Sequence, residues 1–235
     1  MIKLLVSDYD NTFYKNKDDI LKNIEKVVEY RNCGNLFVIA TGRSYQDFVN
    51  ITAEYNIPID YIVLNHGATI IKENKIIKNE IIDNDTKNKI LDLLEIKETE
   101  SYFVCREKER MLDLNENNLT KINVTYKTKE QAEKVKRKLL ELYSNEIKIY
   151  EVTGGRALEI VSINAGKCNS IAFISNLENI ILEGIYVIGD NYNDIEMIKR
   201  YTGYCMTDAI EEVRRISKKE YQSVYNLIEE LIEEK

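Results

Sequence analysis

Two carboxylates one residue apart, Asp8 and Asp10, follow an apolar run at residues 2–6 and precede Asn11 and Thr12. The run reads as a buried first strand, so the pair stands at that strand's carboxyl end. Open α/β sheets bind ligands there. Side chains at i and i+2 leave a strand on one face, and the spacing predicts that Asp8 and Asp10 crowd each other. A fold keeps such a pair when a cation sits between them, and Mg²⁺ is the usual candidate. Alone, the stretch is better read as a polar turn, with Asp and Asn serving turn chemistry. A calcium loop is a poor fit, because Phe13 occupies the position that needs glycine.

Three further stretches match that chemistry. Thr41-Gly42-Arg43 follows an apolar run at 36–40, Lys167 follows Gly166 at a helix start, and Asp190, Asn193 and Asp194 follow a run at 185–188. Together they supply carboxylates, a hydroxyl, a lysine and a tight turn, which is what attack of a carboxylate on a phosphate monoester requires. Nucleophile and substrate are both anionic. At ~4 Å and an effective dielectric of ~20, one unit-charge pair costs about 4 kcal/mol. A Mg²⁺ on the carboxylates and an opposing lysine reverse that sign. Other chemistries fail. The one histidine, His66, excludes multi-histidine metal sites, there is no G-x-S-x-G or G-x-G-x-x-G, and Val161 and Cys168 break a phosphate loop around Gly166-Lys167.

The elements that position these residues are legible. Apolar runs at 2–6, 36–40 and 61–64 alternate with helical spacing at Ile20, Leu21, Ile24, Val27 and Val28, closed by Gly34, and with a helix that Ser44 and Asp47 cap. That alternation predicts a parallel sheet with right-handed crossovers. Residues 69–78 read as a hairpin turning at Glu73-Asn74. The pattern then changes. Residues 79–154 read as an inserted α+β unit with helices at 85–94 and 128–144 and strands at 101–105, 110–113, 122–126 and 147–152. The second helix has a Thr128/Gln131 capping box and a stripe at Ala132, Val135, Leu139 and Leu142. Gly154-Gly155 is the expected hinge. The first domain resumes at 155–235 with a strand at 157–161, the Lys167 helix, strands at 185–188 and 203–206, and two closing helices, the last ending near Glu234. The fold class is therefore α/β, a Rossmann-like parallel-sheet core over 1–78 and 155–235 carrying an inserted unit.

Composition bounds the partners. With 235 residues, 44% hydrophobic and 31% charged, the chain can bury a proper core. A net charge of −7 argues against nucleic acid. No apolar run reaches a membrane span, and Met-Ile-Lys leads straight into the first strand, so no signal peptide is expected. Cys33, Cys105, Cys168 and Cys205 are far apart and read as reduced thiols of a cytoplasmic protein.

These four stretches, in this order and with the insert between the second and third, resemble the motifs of the haloacid dehalogenase-like (HAD) phosphatase superfamily. Within it the chain is similar to the Cof-type members, whose α+β cap is of the C2B kind. The resemblance implies a Mg²⁺-dependent phosphatase acting on a small phosphorylated metabolite, sugar phosphates being the expected class, through an aspartyl-phosphate. It implies that Asp8 is nucleophile and Mg²⁺ ligand, and that Asp10 is general acid/base, with its carbonyl on the metal. Thr41 and Gly42 would bind the phosphoryl group, with Asn193 reaching it. Lys167 would balance charge, Asp190 would be the second metal carboxylate, and Asp194 and Arg43 would support. Asn11 stands where glycine is common, and asparagine also tolerates a left-handed backbone. His66 is added within Asn65-His66-Gly67-Ala68, either as a plain loop residue or as a contact at the mouth of the site. Tyr102, Arg106, Arg110 and Arg156 are cap-side candidates, more simply ordinary surface or packing residues, and Lys134, Lys136, Arg137 and Lys138 an exposed helix face. A phosphotransferase or phosphomutase on the same scaffold stays open, as does a binding protein without turnover.

Overall fold

The computed structural model describes residues 2–233, so Glu234 at the expected end of the last helix lies outside the described residues. Strand β1 (Leu4–Asp8) is buried along its whole length, as a central parallel strand must be. Helix α1 (Lys17–Asn32) starts where the Asn16 side chain accepts from the Asp18 and Asp19 N–H groups, and it buries Ile20, Val27 and Tyr30. Gly34, at φ 83°, turns the chain into β2 (Leu36–Ala40). Helix α2 (Tyr45–Thr52) is capped by Ser44, whose hydroxyl accepts the Asp47 N–H at 3.2 Å. Strand β3 (Tyr61–Leu64) continues the parallel set. Strands β4 (Thr69–Lys72) and β5 (Lys75–Asn79) form the expected hairpin, with Glu73 and Asn74 both at positive φ.

A second unit comes next in the chain: α3 (Asn84–Leu93), β6 (Thr99–Arg106), β7 (Glu109–Met111), β8 (Lys121–Tyr126), α4 (Lys129–Tyr143), β9 (Ile147–Val152) and β10 (Ala157–Ser162). Its strands form an antiparallel sheet in the order β7-β6-β8-β10-β9. The unit has its own apolar core, to which α4 contributes Ala132, Val135 and Leu139. The expected stripe departs at its last member. Leu142 is exposed, and Tyr143, four residues after Leu139, packs instead.

The chain returns through α5 (Lys167–Leu177), β11 (Ile185–Gly189), α6 (Ile195–Arg200), β12 (Thr202–Met206), α7 (Glu211–Arg214), β13 (Glu220–Tyr221) and α8 (Val224–Glu233). The large sheet runs β13-β12-β11-β1-β2-β3-β4-β5. Its strands are parallel from β13 to β3. From β1 the chain moves outward to β2 and β3, whereas β11 leads to β12 on the other side. The order thus reverses between β1 and β11, and the crevice beyond their carboxyl ends is where such a sheet takes a ligand.

One expected boundary is corrected. The strand at 157–161 does not belong to the parallel sheet: Leu158 pairs with Val124 of β8 on one side and Glu151 of β9 on the other. Gly154 and Gly155, at φ 65° and 85°, form the tight turn of the β9–β10 hairpin rather than a hinge. The return to the larger sheet therefore falls after Ser162. An apolar run reads alike for either sheet, and the turn geometry decides between them.

Candidate active site

β1 ends at Asp8, where the chain folds into a compact turn. The Phe13 N–H donates to the Asp8 carbonyl at 3.2 Å and the Tyr14 N–H to that of Tyr9 at 2.8 Å. Asn11 adopts φ 58°, as its residue type allows. Tyr9 and Phe13 anchor the turn in the core. This corrects the expected crowding of Asp8 and Asp10, because strand alternation stops at Asp8. The Asp10 carboxylate instead takes a two-pronged contact from the Arg43 guanidinium, Nε to Oδ2 at 2.9 Å and Nη2 to Oδ1 at 2.7 Å.

The groups that do press on Asp8 come from α5 and from the loop after β11. Lys167, the first residue of α5, contacts the Asp8 carboxylate and also donates to Asp194 Oδ1 at 2.7 Å. Asp194 Oδ2 accepts the N–H groups of Asp190 and Asn191 at 3.0 and 3.2 Å, which folds the loop onto itself. Only glycine fits before it: a Cβ on Gly189 would lie 2.3 Å from Asp194 Cγ. Thr12 returns from the first turn to donate to Asp190 Oδ1 at 2.9 Å.

Asp8, Asp190 and Asp194 each offer an oxygen within 4.8 Å of the others, and all three are buried. Burial pushes the Asp8 carboxyl well above its usual range despite Lys167, with Asp194 and Asp190 adding to the rise. Burial and then Asp194 lift Asp190 to about 6. Burial works against the Lys167 ammonium, but Asp194 and Asp8 outweigh it and keep it charged. Three carboxylates around one ammonium leave negative charge in excess. Asp194 is spent on Lys167 and the backbone, so Asp8 and Asp190 are the hard oxygen donors left for a divalent cation. That donor set fits Mg²⁺.

Beside them lies the turn after β2. The Thr41 carbonyl accepts the His66 N–H at 3.1 Å, and the Arg43 carbonyl accepts the Asn65 N–H at 2.9 Å, so the loop after β3 clasps residues 41–43. A cavity of about 390 Å³ opens here, with Asp8, Asp10, Thr41, Gly42, Asp190 and Asn193 on its wall. Lys167 and Asp194 stand behind that wall, buried.

The far wall comes from the smaller unit, through residues that sequence reasoning missed. Lys121 of β8 donates to the Gly42 carbonyl at 2.7 Å and to Glu159 Oε1 of β10 at 2.8 Å. Asn123 also donates to Glu159 Oε1, at 3.1 Å, and His66 Nε2 lies 2.5 Å from Oε2. The His66 ring stacks on Tyr150 with centroids 4.0 Å apart. Burial works against the Glu159 carboxylate, but Lys121 and the His66 hydrogen bond outweigh it and hold its pKa below the usual range. Burial lowers that of His66. The available signal was a lone carboxylate inside the apolar strand Ala157-Leu158-Glu159-Ile160-Val161, which a fold buries only when paired.

The residues first suspected on the cap side lie elsewhere. Arg106 pairs with Glu109 and Glu116, and Arg156 with Glu100. Arg110 joins the two units through Asp47. None of these three, nor Tyr102, is on the cavity wall. Lys134, Lys136, Arg137 and Lys138 pair with acidic residues of their own unit.

Comparison with known proteins agrees with this architecture. A relative in Buchnera aphidicola subsp. Acyrthosiphon pisum, provisionally named a phosphatase, is 24% identical over 226 residues, 85% of this chain and 82% of its own. A haloacid dehalogenase-like hydrolase from B. subtilis superposes with a TM-score of 0.85 at 19% identity, covering 98% of this chain and 100% of that one. A structure described as a HAD subclass IIB sugar phosphatase gives 0.80 at 17% identity, over 97% and 98%. The model of one family, haloacid dehalogenase-like hydrolase, matches residues 5–113 and 95–226, and the chain belongs to that family.

Proposed function

We propose that this hydrolase is a Mg²⁺-dependent phosphomonoesterase that acts on small phosphorylated metabolites, sugar phosphates foremost, through an aspartyl-phosphate. The observation that carries the reading is the contact of Asp8 with Lys167 at the carboxyl end of β1, beside Asp190 and on the wall of a polar cavity. The provisional phosphatase name of the Buchnera relative and the sugar phosphatase with the same fold support it.

In this reading an Asp8 carboxylate oxygen attacks phosphorus as the bond to the leaving oxygen breaks. Asp10, held at the cavity wall by Arg43, gives that oxygen a proton. The leaving group departs as an alcohol and the phosphoryl group stays on Asp8. Asp10 then takes a proton from water as the water oxygen attacks phosphorus, the Asp8–phosphorus bond breaks, and phosphate leaves. The Thr41 hydroxyl, the Gly42 N–H and Asn193 hold the phosphoryl oxygens, whereas the Asn11 N–H is taken by the Tyr14 carbonyl at 3.0 Å. Lys167 offsets the charge of Asp8 and of the incoming phosphate, and Asp194 fixes Lys167. Asp8, Asp190 and the Asp10 carbonyl would hold the Mg²⁺, which supplies charge neutralisation between two anionic reactants.

Hydrolysis of p-nitrophenyl phosphate by wild type and Asp8→Asn, each with Mg²⁺ and with EDTA, tests this. Turnover is expected only for wild type with Mg²⁺. Comparable turnover by Asp8→Asn would remove Asp8 from the nucleophile's role.

A further inference from the structure

The far wall of the cavity holds charge that the phosphoryl chemistry does not use. Lys121, Glu159 and His66 are all buried, and all three reach the same cavity as Asp8. The hydrogen-bonding inventory of this cluster is incomplete in a specific way. An ammonium has three N–H donors. Two of those on Lys121 are taken, by the Gly42 carbonyl and Glu159 Oε1. Glu159 Oε1 accepts from both Lys121 and Asn123, whereas Oε2 has one partner, His66 Nε2. A carboxylate oxygen can accept twice. One Lys121 donor and one Glu159 acceptor therefore have no hydrogen-bond partner among the described residues; the ammonium's other neighbour is the Phe103 ring, 5.4 Å from Nζ to the centroid. A hydroxyl both accepts and donates a hydrogen bond and so satisfies the two at once.

Charge narrows the ligand further. The cations on the cavity wall are Arg43 and Lys121, and each already has a carboxylate partner, Asp10 and Glu159. Asp47, a further acid on the wall, is matched by Arg110. Among the described residues of the wall, no cation is left over for a second anionic group on the substrate. Among the described residues Val152 is the one aliphatic side chain on the wall and no Phe, Tyr or Trp lines it, so a nucleobase finds no flat apolar slot there.

We propose that Lys121 and Glu159 form the leaving-group subsite, in which the Lys121 ammonium donates to, and Glu159 Oε2 accepts from, one hydroxyl of an uncharged polyhydroxy phosphomonoester, with His66 positioning Glu159. This rests on the phosphatase reading above, whose cavity it completes. The carboxylate accepts only, so His66 Nε2 carries the proton toward it, and the stacked Tyr150 ring fixes the imidazole plane.

The test compares wild type, Glu159→Gln, Lys121→Met and His66→Ala with Mg²⁺. The probes are a panel of pentose and hexose monophosphates, p-nitrophenyl phosphate, which has no hydroxyl on its leaving group, and 3-phosphoglycerate, which has a second anion. Wild type is expected to prefer members of the sugar panel over 3-phosphoglycerate. In each variant the ratio of kcat/KM on the best sugar phosphate to that on p-nitrophenyl phosphate is expected to fall at least about tenfold, the loss of a hydrogen bond to a charged group. A parallel fall on both probes, leaving the ratio unchanged, would mean that the cluster only supports the fold and would overturn the proposal. So would a wild-type preference for 3-phosphoglycerate, or for p-nitrophenyl phosphate over the whole panel, although the phosphatase reading would then stand. A wild type inactive on every ester would remove both.

Discussion

Lys167 stands between two carboxylates, in contact with Asp8 on one side and 2.7 Å from Asp194 Oδ1 on the other. All three are buried, so removing either partner type has opposite consequences. Lys167→Met leaves two buried carboxylates without a cation, and breaking a buried pair from one side costs about 3–5 kcal/mol. Asp8→Asn removes a carboxylate that burial already penalises. Urea denaturation in EDTA at pH 7.5 is expected to place Lys167→Met far below wild type and Asp8→Asn at or above it. Both should lose turnover, Asp8→Asn by at least about a thousandfold in kcat, as the loss of a covalent nucleophile does. The reverse order of stability would contradict the charge balance described.

The excess negative charge also sets a pH dependence. Asp190 is raised from 3.8 to about 6, by burial and then by Asp194. A carboxyl raised in the folded state contributes stability that is fully present below its unfolded pKa of 3.8 and lost as pH rises through about 6. Mg²⁺ binds the ionised form, so its stabilisation should move the opposite way. The rise in Tm on adding Mg²⁺ is expected to be small at pH 5 and to grow up to pH 7.5. Asp190→Asn should flatten that dependence. A gain of equal size at both pH values in wild type would count against Asp8 and Asp190 as the metal carboxylates.

Arg43 makes a narrower claim testable. Its fork holds both oxygens of Asp10, and lysine keeps the charge but not the fork. Arg43→Lys is expected to lower kcat on p-nitrophenyl phosphate by about 10–100-fold, the scale of a misplaced general acid, with the Mg²⁺ concentration for half-maximal activity unchanged. A shift in the metal requirement without a loss of kcat would place Arg43 in metal binding instead.

How much of this could be read beforehand depends on the range of the interaction. The strands that carry Asp8, Thr41 and Asp190 are continuous apolar runs, and the polar residues that end them stand where a parallel sheet binds ligands. Local pattern was enough. The direction of the Asp10 side chain was not legible, because β1 ends at Asp8 and the turn closed by the Phe13 and Tyr14 N–H groups breaks the alternation before Asp10. The sheet that β10 joins was not legible either, because Leu158 and Ile160 would be buried equally well in either sheet. Lys121 and Glu159 lie 38 residues apart and meet only when β8 and β10 pair. The unpaired carboxylate in an apolar strand signalled a partner without naming it.

The packing of Gly42 against His66 gives the last prediction. Gly42 is not in the left-handed region, so its requirement for glycine is one of space. A Cβ there would lie 2.4 Å from His66 Cε1 and 2.6 Å from Nε2. The ring cannot simply move aside, because Glu159 holds Nε2 at 2.5 Å and Tyr150 covers its face. Gly42→Ala must therefore displace the turn whose N–H is assigned to the phosphoryl group, and KM for p-nitrophenyl phosphate is expected to rise. His66→Ala opens the space the methyl needs. The double variant Gly42→Ala/His66→Ala should lose less in kcat/KM than the two single losses combined, with a coupling of about 0.5–3 kcal/mol, the range for side chains in contact. Strictly additive losses would mean that the imidazole is not what excludes a side chain at position 42.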